Sequence, residues 1–257
     1  MKFVTIWLNK EEIPEPFKLE GSKLTELTQK KAYKMILRQH NRQPGNDPTK
    51  SRLEKTKKEL LQKTGICMTT NDIWMNNRKG IIPPKIDDFL WKLCHNRHKI
   101  GTWFLKIKGW ENRAHCKCGK LETMNHIIME CPLNQGPTIW NHMKSEWEQT
   151  FPKTQWLQPI IELIRGLGSI QLRKSPRWIS EVYIERITEA IWLIWTIRNN
   201  QIFNKREIPA ELATKMIKRS LQIKKETEWI YITRIKESSH QDRKTLEKKW
   251  GKIMTND

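Results

Sequence analysis

Three cysteines and two histidines fall within residues 114–132, in the order His115, Cys116-x-Cys118, a gap of seven, then His126-x4-Cys131. Thiolate and imidazole are the ligands zinc takes in closed tetrahedral sites, and binding such an ion fixes the fold of the loop that carries them. Gly119, directly after the second cysteine, permits a tight turn back toward an ion. The expected element is a small CCHC-type zinc knuckle over residues 111–135, with Zn2+ as its cofactor. Knuckles commonly open on C-x2-C, whereas only Lys117 separates Cys116 from Cys118. Cys118, His126 and Cys131 therefore stand as ligands, and the fourth is open between Cys116 and His115, the latter forming an H-x2-C pair with Cys118.

On either side of the cluster the apolar residues recur at helical spacing, which predicts an all-α chain: an irregular helical bundle interrupted by the knuckle. Five regions follow. Residues 1–22 are a leading segment with a short strand over 3–8; 23–110 form a basic N-terminal helical region. The knuckle occupies 111–135, a tryptophan-rich helical core 136–204, and a basic helical tail 205–257. Helices are expected over 22–42, from a Ser51–Glu54 capping box to Gly65, and from Thr70 or Asn71 through Met75. Further helices are expected over 85–98, 137–149 and 157–167, then a long one after Pro176 and another after Pro209. His95 and His98, three apart, suit a helix C-terminus and the loop beyond it. The segment Trp103, Phe104, Leu105, Ile107, Trp110 is expected to seat the knuckle on its neighbours, with base stacking as its other use.

Thirteen tryptophans are far more than a disordered polar chain carries, so the chain should fold despite 30% charged residues. A net charge of +20 predicts attraction to polyanions, nucleic acid before anionic membrane. The five cysteines are too few and too clustered for a disulfide framework, which points to a reducing compartment, nuclear or cytoplasmic. No signal-peptide pattern is indicated, and the apolar run 187–197 is too short for a bilayer, so no membrane partner is expected. The chain lacks a G-x4-G-K-[ST] phosphate loop and a G-x-S-x-G elbow. Asp87-Asp88 is its sole Asp pair, and two-metal chemistry needs several converging carboxylates. Four filled ligands would also leave the zinc no open position for water, so no enzymatic activity is expected.

The run Ile86-Asp87-Asp88-Phe89-Leu90-Trp91-Lys92-Leu93-Cys94-His95-Asn96 is followed by Cys118-Gly119, Glu122-Thr123-Met124, His126-Ile127-Ile128, Cys131 and Ile139-Trp140. This series resembles the zinc-binding region downstream of reverse transcriptase in LINE-type (non-LTR) retrotransposons, most of all the fungal type, where it follows a ribonuclease H domain. Flanking segments, Phe17 to Leu24 with Met35 and Ile191-Trp192 to Arg198-Asn199, are also similar. The resemblance covers about residues 17–250. Cys118, His126 and Cys131 match the family pattern, and its first cysteine falls on His115, or on Cys116 if one residue has been deleted. The polymerase and ribonuclease H domains are absent from the sequence, so the resemblance carries over no activity. It implies a retrotransposon remnant or a captured module that handles template RNA or target DNA, with a reverse transcriptase/ribonuclease H polypeptide as a further partner.

The expected function is a non-enzymatic, zinc-stabilised module that binds RNA or DNA mainly through phosphates. Lys92, Arg97, Lys99, Lys106, Lys108, Arg113, Lys117 and Lys120 are the candidate contacts. The alternative is a structural or protein-interaction scaffold whose zinc only stabilises the fold.

Overall fold

The computed structural model describes residues 28–39, 48–78 and 80–234 of the chain. The chain divides into two compact units, Met1–Asp47 and Pro48–Asp257. In the first, the described residues form helix α1 (Gln29–Gln39). The strand expected over 3–8 and the tail beyond 234 lie outside the described residues.

The second unit is mostly helical. It runs α2 (Pro48–Thr64), α3 (Thr70–Asn77), α4 (Pro84–His95), two 3-10 helices (Gly101–Lys106, Glu111–Ala114), a π turn (His126–Glu130), α5 (Gly136–Thr150), α6 (Ile161–Arg165), a 3-10 turn (Leu167–Ser169), α7 (Arg177–Phe203) and α8 (Ala210–Arg234). No strand forms among the described residues; one isolated antiparallel bridge pairs His115 with Leu121. The described residues build the expected helical bundle interrupted by a CCHC-type cluster.

Helix α7 is the hub. Fifteen of its 27 residues are buried, on every side of the helix, which is the pattern of a helix enclosed by others. It packs against α5, α8 and the π turn. Phe89 of α4 meets Trp195 edge-on at 5.6 Å, so α4 reaches the same helix. Its first half rests on an aromatic cluster in which Trp147 lies 5.6 Å from Tyr183 and 5.9 Å from Trp156. Each polar tip there finds a partner: Trp147 Nε1 donates to the Thr154 carbonyl at 2.9 Å and Tyr183 Oη to that of Leu157 at 2.6 Å. Such pairs add about 0.5–1.5 kcal/mol beyond the area they bury. Phe203, the last residue of α7, is 72% exposed, because the helix outruns the core by its last turn.

Several element boundaries shift for local reasons. α2 begins at Pro48, which suits the first helical position, so Ser51 lies inside the helix and Glu54 pairs with Lys57 at 2.8 Å instead of capping. The cap of α3 is Thr69, ahead of the expected Thr70 or Asn71, and it forms a capping box: Thr69 accepts from the Asp72 N–H at 3.1 Å while Asp72 accepts from the Thr69 N–H at 2.8 Å. α4 stops at His95 because Asn96 turns left-handed (φ 52) and its N–H closes onto the last turn. His98 is thereby freed to fold under, where its Nε2 donates to the Phe89 carbonyl at 3.1 Å between the rings of Phe89 and Trp195. His95 stacks on Trp74 instead, so the two histidines serve separate packing roles. α6 starts only at Ile161, since Pro159 lies in the stretch expected to be helical and Ile160 is extended.

Candidate metal centre

The loop before α5 is built from hydrogen bonds that fold it onto itself. Cys116 and Gly119 close a tight turn, Gly119 N–H donating to the Cys116 carbonyl at 2.9 Å, and the Cys116 N–H donates to the Lys120 carbonyl at 2.9 Å. Gly119 sits at φ +86, a conformation L side chains rarely adopt. His115 is extended (φ −108, ψ 140), so its side chain and that of Cys116 leave the backbone on opposite sides. The second half of the loop is a π turn in which the Cys131 N–H donates to the His126 carbonyl at 2.8 Å. In an α-helix, residues five apart lie about 140° apart around the axis. The wider π turn, with its i→i+5 bond, brings His126 and Cys131 to one side.

As a result the ligand atoms of Cys116, Cys118, His126 and Cys131 all lie within 4.8 Å of one another. The Cys116 and Cys131 sulfurs are 3.5 Å apart, and Cys118 Sγ is 3.2 Å from His126 Nε2. A tetrahedral zinc about 2.3 Å from each sulfur requires sulfurs about 3.8 Å apart, so closing the group on one ion takes shifts of about an ångström or less. His126 and Cys131 are buried and the other two cysteines half-buried. His115 is exposed and is not in the group. The donor set fits a zinc ion, with three sulfurs and one imidazole filling a closed shell.

The electrostatics agree with that fit. Burial first, then the neighbouring thiols, push the Cys116 thiol up to about 12, and burial also raises Cys131. For Cys118 burial is outweighed by hydrogen bonds from the Lys120 N–H and the other two thiols, and its thiol is lowered. Three converging thiols cannot all ionise without a cation; a divalent ion displaces their protons and holds the thiolates together. The buried His126 Nδ1 has no hydrogen-bond partner, and the Glu130 carboxylate lies 3.8 Å away. A carboxylate behind the second ring nitrogen is the usual support of a metal-bound histidine. Sequence reading did not single out Glu130, although its place four residues after His126 was a signal.

The knuckle is fastened to the bundle from three sides. Ile127 and Ile128 are fully buried, and Trp140 Nε1 of α5 donates to the Ile128 carbonyl at 2.8 Å. Glu122 forms a buried bidentate pair with Arg198 of α7, Nε donating to Oε1 at 2.8 Å and Nη2 to Oε2. On the third side Gly101, at φ +50, approaches so closely that a Cβ there would lie 1.9 Å from the Glu122 carbonyl oxygen.

The aromatic segment 103–110, expected to seat the knuckle, is divided: Phe104 and Ile107 are half-buried. Trp103 and Trp110 are exposed, at 37% and 44%. Of the basic candidates, Arg97, Lys99, Lys106, Lys108, Arg113, Lys117 and Lys120 are exposed and Lys92 is half-buried. Lys92 pairs with Asp88 at 2.6 Å and Lys117 with Glu207 at 3.3 Å. Lys99 lies 5.2 Å over the Trp103 ring and Arg113 4.3 Å over that of Trp110. Among the described residues no helix is long and apolar enough to cross a membrane.

No protein-family model matches the chain, and no match was found among curated proteins or solved structures.

Proposed function

We propose that the chain is a non-enzymatic, zinc-stabilised helical module that binds nucleic acid, RNA or DNA, chiefly through phosphates. The observation that carries this reading is that seven of the eight candidate cations, all within residues 92–120 that lead into and through the metal cluster, are exposed. Affinity from such a surface is dominated by counterion release and is steeply salt-dependent. The four-donor cluster supports a structural ion, since it leaves no open position for a substrate or water.

The resemblance to the zinc-binding region of LINE-type retrotransposon polyproteins supports the same reading. The segments that carry it contact one another: Phe89 meets Trp195, Trp140 holds Ile128 of the knuckle, and Glu122 of the knuckle pairs with Arg198. In that reading the chain derives from the C-terminal region of a reverse transcriptase and handles template RNA or target DNA. The test is affinity for RNA and DNA oligonucleotides across a salt series. Lys108→Ala and Lys120→Ala should each lower the slope of log affinity against log salt by roughly 0.7–0.9 for every phosphate left without its cation. Slopes unchanged in both variants, or binding indifferent to salt, would favour a protein-interaction scaffold.

A further inference from the structure

Trp103 and Trp110 are large apolar rings left in solvent beside a surface rich in cations, and they are held there by backbone. A chain of tight turns runs from Ile100 to Arg113: Trp103 N–H donates to the Ile100 carbonyl, Ile107 to Phe104, Trp110 to Ile107 and Arg113 to Trp110, each at 3.0 Å. The two 3-10 helices that carry these residues pack on one another. Phe104 sits between the indoles, edge-on to Trp103 at 5.1 Å and nearly parallel to Trp110 at 6.1 Å. The first of these helices is anchored where Gly101 presses on the Glu122 carbonyl, so the aromatic triplet is fixed to the knuckle.

An exposed indole can be covered by a protein or by a base, and the local charge selects the base. Within residues 99–113 the cations are Lys99, Lys106, Lys108 and Arg113, against a single acid, Glu111, which already accepts from the Gly109 N–H at 3.1 Å. Lys99 and Arg113 lie over the two indole faces. A cation over an exposed ring is held more weakly than a stacked base, so an incoming base displaces it, and the released cation is left next to the phosphate that accompanies the base. Duplex DNA or RNA buries its base faces in its own stack and offers none to the indoles. Single strands do.

We infer that Trp103 and Trp110 form a stacking platform that selects single-stranded nucleic acid, with Lys99 and Arg113 serving the phosphates beside the stacked bases. This rests on the nucleic-acid reading above and adds to it the form of the ligand.

The test titrates the zinc-loaded full chain, as wild type, Trp103→Ala, Trp110→Ala and Trp103→Phe, with a fluorescein-labelled oligouridylate and with a duplex of equal length. Both indoles are exposed, and matching zinc content and circular dichroism will show that the variants fold. The expected result is a loss of about 5- to 150-fold in single-strand affinity for each alanine variant, with the salt slope and duplex affinity unchanged. Trp103→Phe should recover most of the loss. Equal affinities of wild type for both probes, or alanine variants that bind the single strand as wild type does, would overturn the platform while salt-dependent binding kept the phosphate reading. Salt-dependent binding to neither probe would overturn both. Loss of self-association in the alanine variants with nucleic-acid affinity intact would overturn the platform and assign the patch to a protein contact.

Discussion

Cys116 and His115 are neighbours in sequence that the backbone sends in opposite directions. Extended geometry at His115 turns its ring to solvent, and the Cys116–Gly119 turn folds two sulfurs separated by one residue toward His126. Cys116→Ser should therefore abolish tight zinc binding, and His115→Ala should leave one zinc per chain, measured by metal analysis after dialysis. The reverse pattern would reassign the ligand. His98 is a second residue with a distinct signature. Burial, the largest cause, lowers its pKa from 6.5 to about 4, so the folded chain keeps it neutral between those values while the unfolded chain takes up a proton. The stability it contributes is complete above about pH 6.5 and is lost as pH falls toward 4, by up to about 3 kcal/mol. Denaturant melts of wild type and His98→Gln at pH 7 and pH 5 should show a smaller acid loss in the variant. Any loss of a bound metal would be common to both proteins, so an equal loss would refute the assignment.

At the scale of elements, the knuckle depends on glycines for two different reasons. Gly101→Ala puts a Cβ into the Glu122 carbonyl at 1.9 Å and strains φ +50, so the loop must move. Gly119→Ala strains φ +86 but meets nothing within 4 Å, which limits its cost to about 1–2 kcal/mol. Thermal melts should rank Gly101→Ala as clearly the more destabilising; equal shifts would contradict the close approach. Sequence reading found the helices because their apolar residues recur at helical period, and it found the metal group because ligand types cluster locally. It missed what depends on distant partners. Nothing near Glu122 announces Arg198, 76 residues on, and nothing near Gly101 announces the carbonyl it must clear. It also assigned Trp103 and Trp110 to packing, since aromatic content alone does not say which rings the fold leaves in solvent. The end of α4 was placed three residues late because an Asn in left-handed geometry is a weaker stop signal than Gly.

At the scale of the whole second unit, the Cys3His cluster and the bundle are joined through a few named links. α7 supplies Arg198 to the knuckle, α5 supplies Trp140, and the knuckle returns Ile127 and Ile128 to the shared core. Gly101 against the Glu122 carbonyl ties the aromatic segment to the same loop, so in the proposed function a structural ion would act on binding without touching the nucleic acid. Cys116, Cys118, His126 and Cys131 together should hold one ion. X-ray absorption at the zinc edge of the purified chain tests it directly. The expected spectrum is one zinc per chain with three sulfurs at about 2.3 Å and one nitrogen at about 2.0–2.1 Å. A shell of two sulfurs and two nitrogens, or protein purified without zinc that folds and binds unchanged, would contradict it.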